Sequence, residues 1–98
     1  MRYKIAKDGD ALTVTVWGHL DVNSSPEIEK AVEPELDGAT ALTVDLANVD
    51  YVSSMGLRLL LSWQKRMFKQ GSMRVINVSE GVMELFFETG FTEILDIS

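Results

Sequence analysis

Runs of strand period alternate with runs of helix period along this chain, and that alternation narrows the fold more than any other feature. Leu12, Val14 and Val16 point one way and Thr13, Thr15 and Trp17 the other, the period-two pattern of a half-buried strand. Leu42, Val44 and Leu46 repeat the pattern, and residues 73–78 supply a further strand. Other segments carry apolar residues at helical spacing: Ile28, Ala31, Val32 and Leu36; Leu57, Leu60, Leu61 and Phe68; Val82, Leu85 and Phe86. Strands alternating with helices imply parallel neighbours joined by right-handed crossovers.

Local signals set the boundaries. Residues 2–6 and 11–17 read as an antiparallel pair around the turn signal Asp8-Gly9-Asp10. Ser24-Ser25-Pro26-Glu27 has the marks of a helix start: a capping hydroxyl, an early proline and an acid in the first turn. Pro34 lies inside the apolar pattern, so that helix kinks or stops near Glu33, and Gly38 closes the segment. A third strand covers 41–46. A loop over 48–55 then feeds a helix from about 55 to 69. Ser79 caps a last helix that Gly90 stops, and 94–97 reads as a short fifth strand. The order is ββαβαβαβ: an α/β fold, one domain over 1–98, with a mixed, mostly parallel sheet of about five strands. In such sheets function gathers where loops leave the carboxyl ends of strands. Residues 18–23 and 48–55 are two such loops.

Composition and motifs exclude several classes. A length of 98 residues leaves room for one domain. The net charge of −6 argues against a nucleic-acid partner, because phosphate contacts need a basic surface. Arg58, Lys65, Arg66 and Lys69 concentrate positive charge in one segment. They read as a solvated helix face with cations near its C-terminus, or as a dock for an acidic partner. The absence of cysteine removes disulfides and thiol chemistry. No apolar run is long enough to span a bilayer, and the start MRYKIAKDGD has no secretory apolar segment, so the expected location is cytoplasmic, without direct membrane insertion. There is no phosphate-binding glycine loop and no nucleophile elbow. His19 alone makes no metal cluster, and no strand-turn motif assembles it with Ser54 into a triad. A receiver domain of two-component signalling would use Asp45, but it also needs an adjacent acidic pair after the first strand and a late lysine. Here no lysine follows Lys69. The expectation is a binding protein with no cofactor and no enzymatic activity.

The segment Val44-Asp45-Leu46-Ala47-Asn48-Val49-Asp50-Tyr51-Val52-Ser53-Ser54-Met55-Gly56-Leu57-Arg58 resembles the signature of STAS-domain anti-sigma-factor antagonists. That signature is a strand ending in Asp-Leu or similar, a short loop with an aromatic, then Asp-Ser-Ser/Thr-Gly-Leu opening a helix. Gly18-His19-Leu20-Asp21 is similar to the family's Gly-x-Leu/Ile-Asp, and the order of elements matches over nearly the whole chain. The resemblance implies that Ser54 is the phosphorylated serine, with Asp21 beside it supporting partner binding and phosphorylation. It implies an anti-sigma factor that is a serine kinase as partner, and a PP2C-type phosphatase that reverses the modification. Ser53 stands where many members have aspartate, and Met55 where they have Ser or Thr.

Physics independent of the family points to the same place. A serine before a helix meets free N–H groups and the positive end of the dipole, which cap to a hydroxyl or hold a phosphate equally well. Ser53 is the alternative acceptor. On the helix that follows, Leu59, Trp63 and Met67 widen the apolar face to about half the circumference. Leu59 and Trp63 either wrap under neighbouring loops or form an exposed strip that binds a partner. The expected partner surface is therefore Asp21, Ser53, Ser54, Met55, Gly56, Leu59 and Trp63. A scaffold or subunit STAS module without phosphorylation is the alternative function.

Overall fold

The computed structural model describes residues 2–98. Strands β1 (Tyr3–Asp8) and β2 (Ala11–Leu20) form the expected hairpin, pairing Tyr3 with Val16 and Asp8 with Ala11. Gly9 supplies the positive φ of 61° that its tight turn demands. Helix α1 (Ser25–Val32) then passes into a 3-10 turn, Glu33–Leu36. Pro34 has no N–H to continue the α-helical ladder, so the helix ends where the sequence predicts. β3 (Ala41–Val52) lies parallel to β2; α2 (Ser54–Gln70) crosses over to β4 (Ser72–Ile76), parallel to β3; α3 (Glu80–Glu88) follows. Among the described residues the sheet runs in the order β1-β2-β3-β4.

One face of the sheet is the core. Leu12, Val14, Val16, Leu42, Val44, Leu46, Met73 and Val75 are buried against Ile28, Val32, Leu60, Trp63, Met67, Val82 and Phe86 from the helices. The residues between them, Thr13, Thr15, Thr43 and Asp45, are only half-buried on the opposite face. The crossovers 2→3→4 step in one direction across the sheet, and right-handed connections of that kind put their helices on the same side. At the far end of α2, Gln70 Nε2 donates to the carbonyls of Leu36 (2.6 Å) and Ala39 (2.7 Å). Arg66 pairs with Glu33 and Asp37 at 2.6 Å each, so one member of the cationic run ties α2 to the α1–β3 connection.

Three expectations need correction. The fifth strand is absent as a strand. Gly90, at φ 81°, turns the chain into a 3-10 turn over Phe91–Glu93. Phe91 and Leu95 then pack inward at a spacing of one helical turn, and Leu95 N–H donates to Phe91 O at 2.8 Å. Only Ile97 bridges to Val75, in parallel. Second, β2 and β3 run further at their carboxyl ends than expected: β2 reaches Leu20 and β3 reaches Val52, so Asn48–Val52 is strand and not loop. The register slips between Thr15 and Trp17 and again between Gly18 and His19. β3 holds 12 residues against 10 in β2, and its inward residues become Leu46, Val49 and Val52. Bulges break the period-two signal there. Third, the buried face of α2 is centred on Leu60, Trp63 and Met67, with Gly56 and Leu59, while Phe68 is 83% exposed.

The rotated helix face is directly testable. Trp63→Ala removes a fully buried indole and is expected to cost about 3–5 kcal/mol in urea unfolding. Phe68→Ala is expected to stay within about 0.5 kcal/mol. A larger loss at Phe68 than at Trp63 contradicts the assigned face.

Candidate functional site

β2 and β3 finish side by side, with Leu20 opposite Val52, so the residues that follow each strand emerge together. Ser53 N–H donates to Leu20 O at 2.9 Å and carries the sheet bonding one residue further. The chain then turns into α2. Ser53 is its N-cap: φ −85°, ψ 176°, with Oγ accepting Gly56 N–H at 3.3 Å. Gly56 is buried in the first turn, where a Cβ would collide with Leu20 O and sit 2.9 Å from Val52 Cγ1. Any side chain there pushes α2 off the strand ends. Gly56 is thus a packing residue, not a surface a partner can touch.

Ser54, the first residue of α2, is exposed. Among the described residues its hydroxyl makes no hydrogen bond, because Ser53 already serves the cap. No acid lies in the first turn of α2, so the positive end of the dipole is uncompensated. Met55 beside it is 36% exposed.

Asp21 begins the loop after β2 and folds it. One carboxylate oxygen accepts the N–H groups of Asn23 (2.9 Å) and Ser24 (3.1 Å). The Ser24 N–H, joined by that of Asn23, holds this carboxyl below its ordinary 3.8 against a smaller opposing effect of burial. Ser24 was expected to cap α1, but its hydroxyl does not bond into that helix. It donates to His19 O at 2.7 Å and accepts Asp21 N–H at 3.0 Å, closing the loop onto the end of β2.

His19 belongs to this end as a strand residue. Its Nε2 lies 3.2 Å from Asp50 Oδ1, its Nδ1 3.8 Å from Asp21 Oδ2, and its ring meets Tyr51 edge-on at 5.7 Å. His19, Asp50 and Tyr51 were not among the expected site residues. The sequence signal for them was their place in 18–23 and 48–55, the two segments expected at the carboxyl ends of the strands. His19, Asp21, Asn23 and Ser24 border an open depression of about 400 Å³. A second, apolar groove of about 170 Å³ runs between α1 and α2, with Pro26, Met55 and Arg58 on its walls. Leu59, 3% exposed, sits at its base, and Trp63, 1% exposed, lies in the core, which corrects the expected apolar docking strip at those positions.

The sequence model of the family described as "Mlab, STAS domain" matches residues 3–96. The anti-sigma-B factor antagonist of Bacillus subtilis (strain 168) is 32% identical over 95 residues, covering 96% of this chain and 87% of the relative. This chain belongs to the STAS-domain family of anti-sigma-factor antagonists. The anti-sigma factor antagonist SpoIIAA in its unphosphorylated form superposes with a TM-score of 0.85 at 15% identity, over 98% of this chain and 87% of that one. The Bacillus cell fate determinant SpoIIAA in its phosphorylated form superposes at 0.77 with 16% identity, over 98% and 90%. The STAS fold therefore brings Asp21, Ser53, Ser54 and Met55 to one end of the sheet, with His19, Asp50 and Tyr51 beside them.

Two measurements probe this STAS site. Gly56→Ala is expected to destabilise the fold by about 1–3 kcal/mol despite alanine's better helix propensity, because the clash is with backbone. Amide exchange at Ser53 reports the opened strand end; a neutral or stabilised variant contradicts the contact. The Asp21 carboxylate has a lowered pKa when folded, so its contribution to stability is present above 3.8 and is lost as pH falls through the folded value. The stability gap between the wild type and Asp21→Asn, read by urea titration, is expected to be largest at neutral pH and to shrink on acidification. A gap independent of pH contradicts the assignment.

Proposed function

We propose that this chain is an anti-sigma-factor antagonist that captures an anti-sigma factor over the β2–β3 end of the fold and is released by phosphorylation of Ser54. One observation carries the reading: the division of labour between neighbouring serines. Ser53 spends its hydroxyl on the cap, while Ser54 stands exposed with a free hydroxyl at an uncompensated helix N-terminus. The names of the relatives supply the class of partner. The anti-sigma factor is a serine kinase that moves the γ-phosphoryl group of ATP onto Ser54 Oγ. A PP2C-type phosphatase returns the hydroxyl by hydrolysis. ATP and Mg²⁺ belong to the kinase; this chain contributes a shape and an acceptor.

Added charge is the mechanism of release. A phosphoserine brings a charge of about −1.5 to −2. It arrives on a chain of net charge −6, at an end that already presents Asp21 and Asp50. A partner docked over this end meets like-charge repulsion and the desolvation of a dianion, a penalty of several kcal/mol in an interface. Asp21 holds the loop through its carboxylate, which accepts the backbone N–H groups of Asn23 and Ser24, so the surface is ordered before a partner arrives. A second reading is a STAS scaffold that docks without phosphorylation. It is favoured by Met55 at a position where the family pattern has a hydroxyl.

Calorimetry with the purified kinase decides between them. Ser54→Ala is expected to bind within about threefold of the wild type, and Ser54→Asp at least about tenfold more weakly, a loss of about 1.4 kcal/mol or more. Equal affinity of Ser54→Asp and the wild type contradicts the switch and favours the scaffold.

A further inference from the structure

The C-terminal half of α2 carries a surface that the Ser54 site does not use. Phe68 is 83% exposed and Ile94 is 45% exposed. With Leu61 and Gln64 they line an apolar groove of about 540 Å³ along the helix, flanked by Lys65 and Lys69. Single exposed apolar residues need no explanation; an aromatic and two aliphatic residues around one groove do. The cationic run divides here by function. Arg66 spends its charge on Glu33 and Asp37, whereas among the described residues Lys65 and Lys69 make no ion pair. On a chain of net charge −6, Phe68, the most exposed large apolar side chain among the described residues, is thus bordered by two lysines that make no ion pair there.

We propose that this groove is a second docking site, for an amphipathic helix of a partner protein that carries acidic residues flanking its apolar stripe. The charge pattern selects that occupant. A second copy packed face to face about a twofold axis would set Lys65 and Lys69 against the same lysines. An anionic membrane would be repelled by the remainder of the chain, and two lysines are too few to hold it. A helix laid in a groove beside α2 places leucine-like anchors on Phe68, Leu61 and Ile94, and its carboxylates reach Lys65 and Lys69. Phe68 lies about 21 Å along the helix axis from Ser54, at 1.5 Å per residue. Occupancy is therefore independent of the charge on Ser54.

Selection from a displayed library of helical peptides with randomised apolar and charged positions tests this on the whole chain. Peptides with apolar residues at helical spacing and flanking Glu or Asp are expected to enrich. Their NMR footprint falls on Leu61, Lys65, Phe68 and Ile94. A synthetic copy of the best peptide binds Phe68→Ser at least about tenfold more weakly, as the loss of an aromatic anchor predicts. It binds the K65E/K69E variant more weakly still, with lower salt dependence, and Ser54→Asp unchanged. Enrichment without acidic residues, a footprint outside the groove, or undiminished binding to K65E/K69E overturns the proposal. So does concentration-dependent dimerisation that Phe68→Ser abolishes, or adsorption to phosphatidylglycerol vesicles that depends on Phe68.

Discussion

The bond from Ser53 N–H to Leu20 O, 2.9 Å long, organises the end of the sheet where β2 and β3 finish. It extends the pairing of β2 and β3 past Leu20 and Val52 and fixes where α2 begins. The same carbonyl lies under Gly56, so close that the helix approaches only because that residue has no Cβ. Two consecutive constraints on one oxygen thereby set the direction of α2 and present Ser54 outward. Asp21, the next residue after Leu20, closes its own loop onto the strand end through Asn23 and Ser24. The start of α2 and the Asp21 loop are both tied to Leu20, the last residue of β2, one through its carbonyl and the other through the chain itself.

Much of this was legible in the sequence, and the parts that were not have physical reasons. The alternation of Leu12, Val14 and Val16, and of Leu42, Val44 and Leu46, correctly marks one buried face of the sheet, since a clean period of two needs only a regular strand. Pro34 ends α1, and Gly90 ends α3, through local backbone chemistry that does not depend on the fold. The extension of β3 to Val52 was hidden. Its two register slips change the inward spacing to Leu46, Val49 and Val52, which reads as a loop. The segments holding His19, Asp50 and Tyr51 were expected at this end, but the slipped register that sets His19 against Asp50 and Tyr51 was not readable. The segment 94–97 failed in the other direction: its apolar residues serve a helical turn and a single bridge.

α2 shows why a wheel drawn from sequence misassigns a wide apolar face. Leu57, Leu60, Leu61 and Phe68 form a plausible stripe, yet the helix is turned so that Leu60, Trp63 and Met67 meet the sheet. Its orientation is set at both ends, by Gly56 against Leu20 and by Gln70 against the carbonyls of Leu36 and Ala39. With the helix so held, Trp63 is core and Phe68 is surface. A length of apolar face thus became two things, a packing stripe and an exposed patch, and only tertiary constraints separate them.

On the proposed reading two adjacent serines have different jobs, a structural cap at Ser53 and a regulated acceptor at Ser54. Phosphosite mapping by mass spectrometry, on the protein isolated from its own cells with bound partners retained, tests it most directly. Phosphate on Ser54, none on Ser53, and a co-purifying serine kinase is the predicted result. Unmodified Ser54 in a complex with a scaffold or transporter subunit, or phosphate on Ser53 instead, contradicts it.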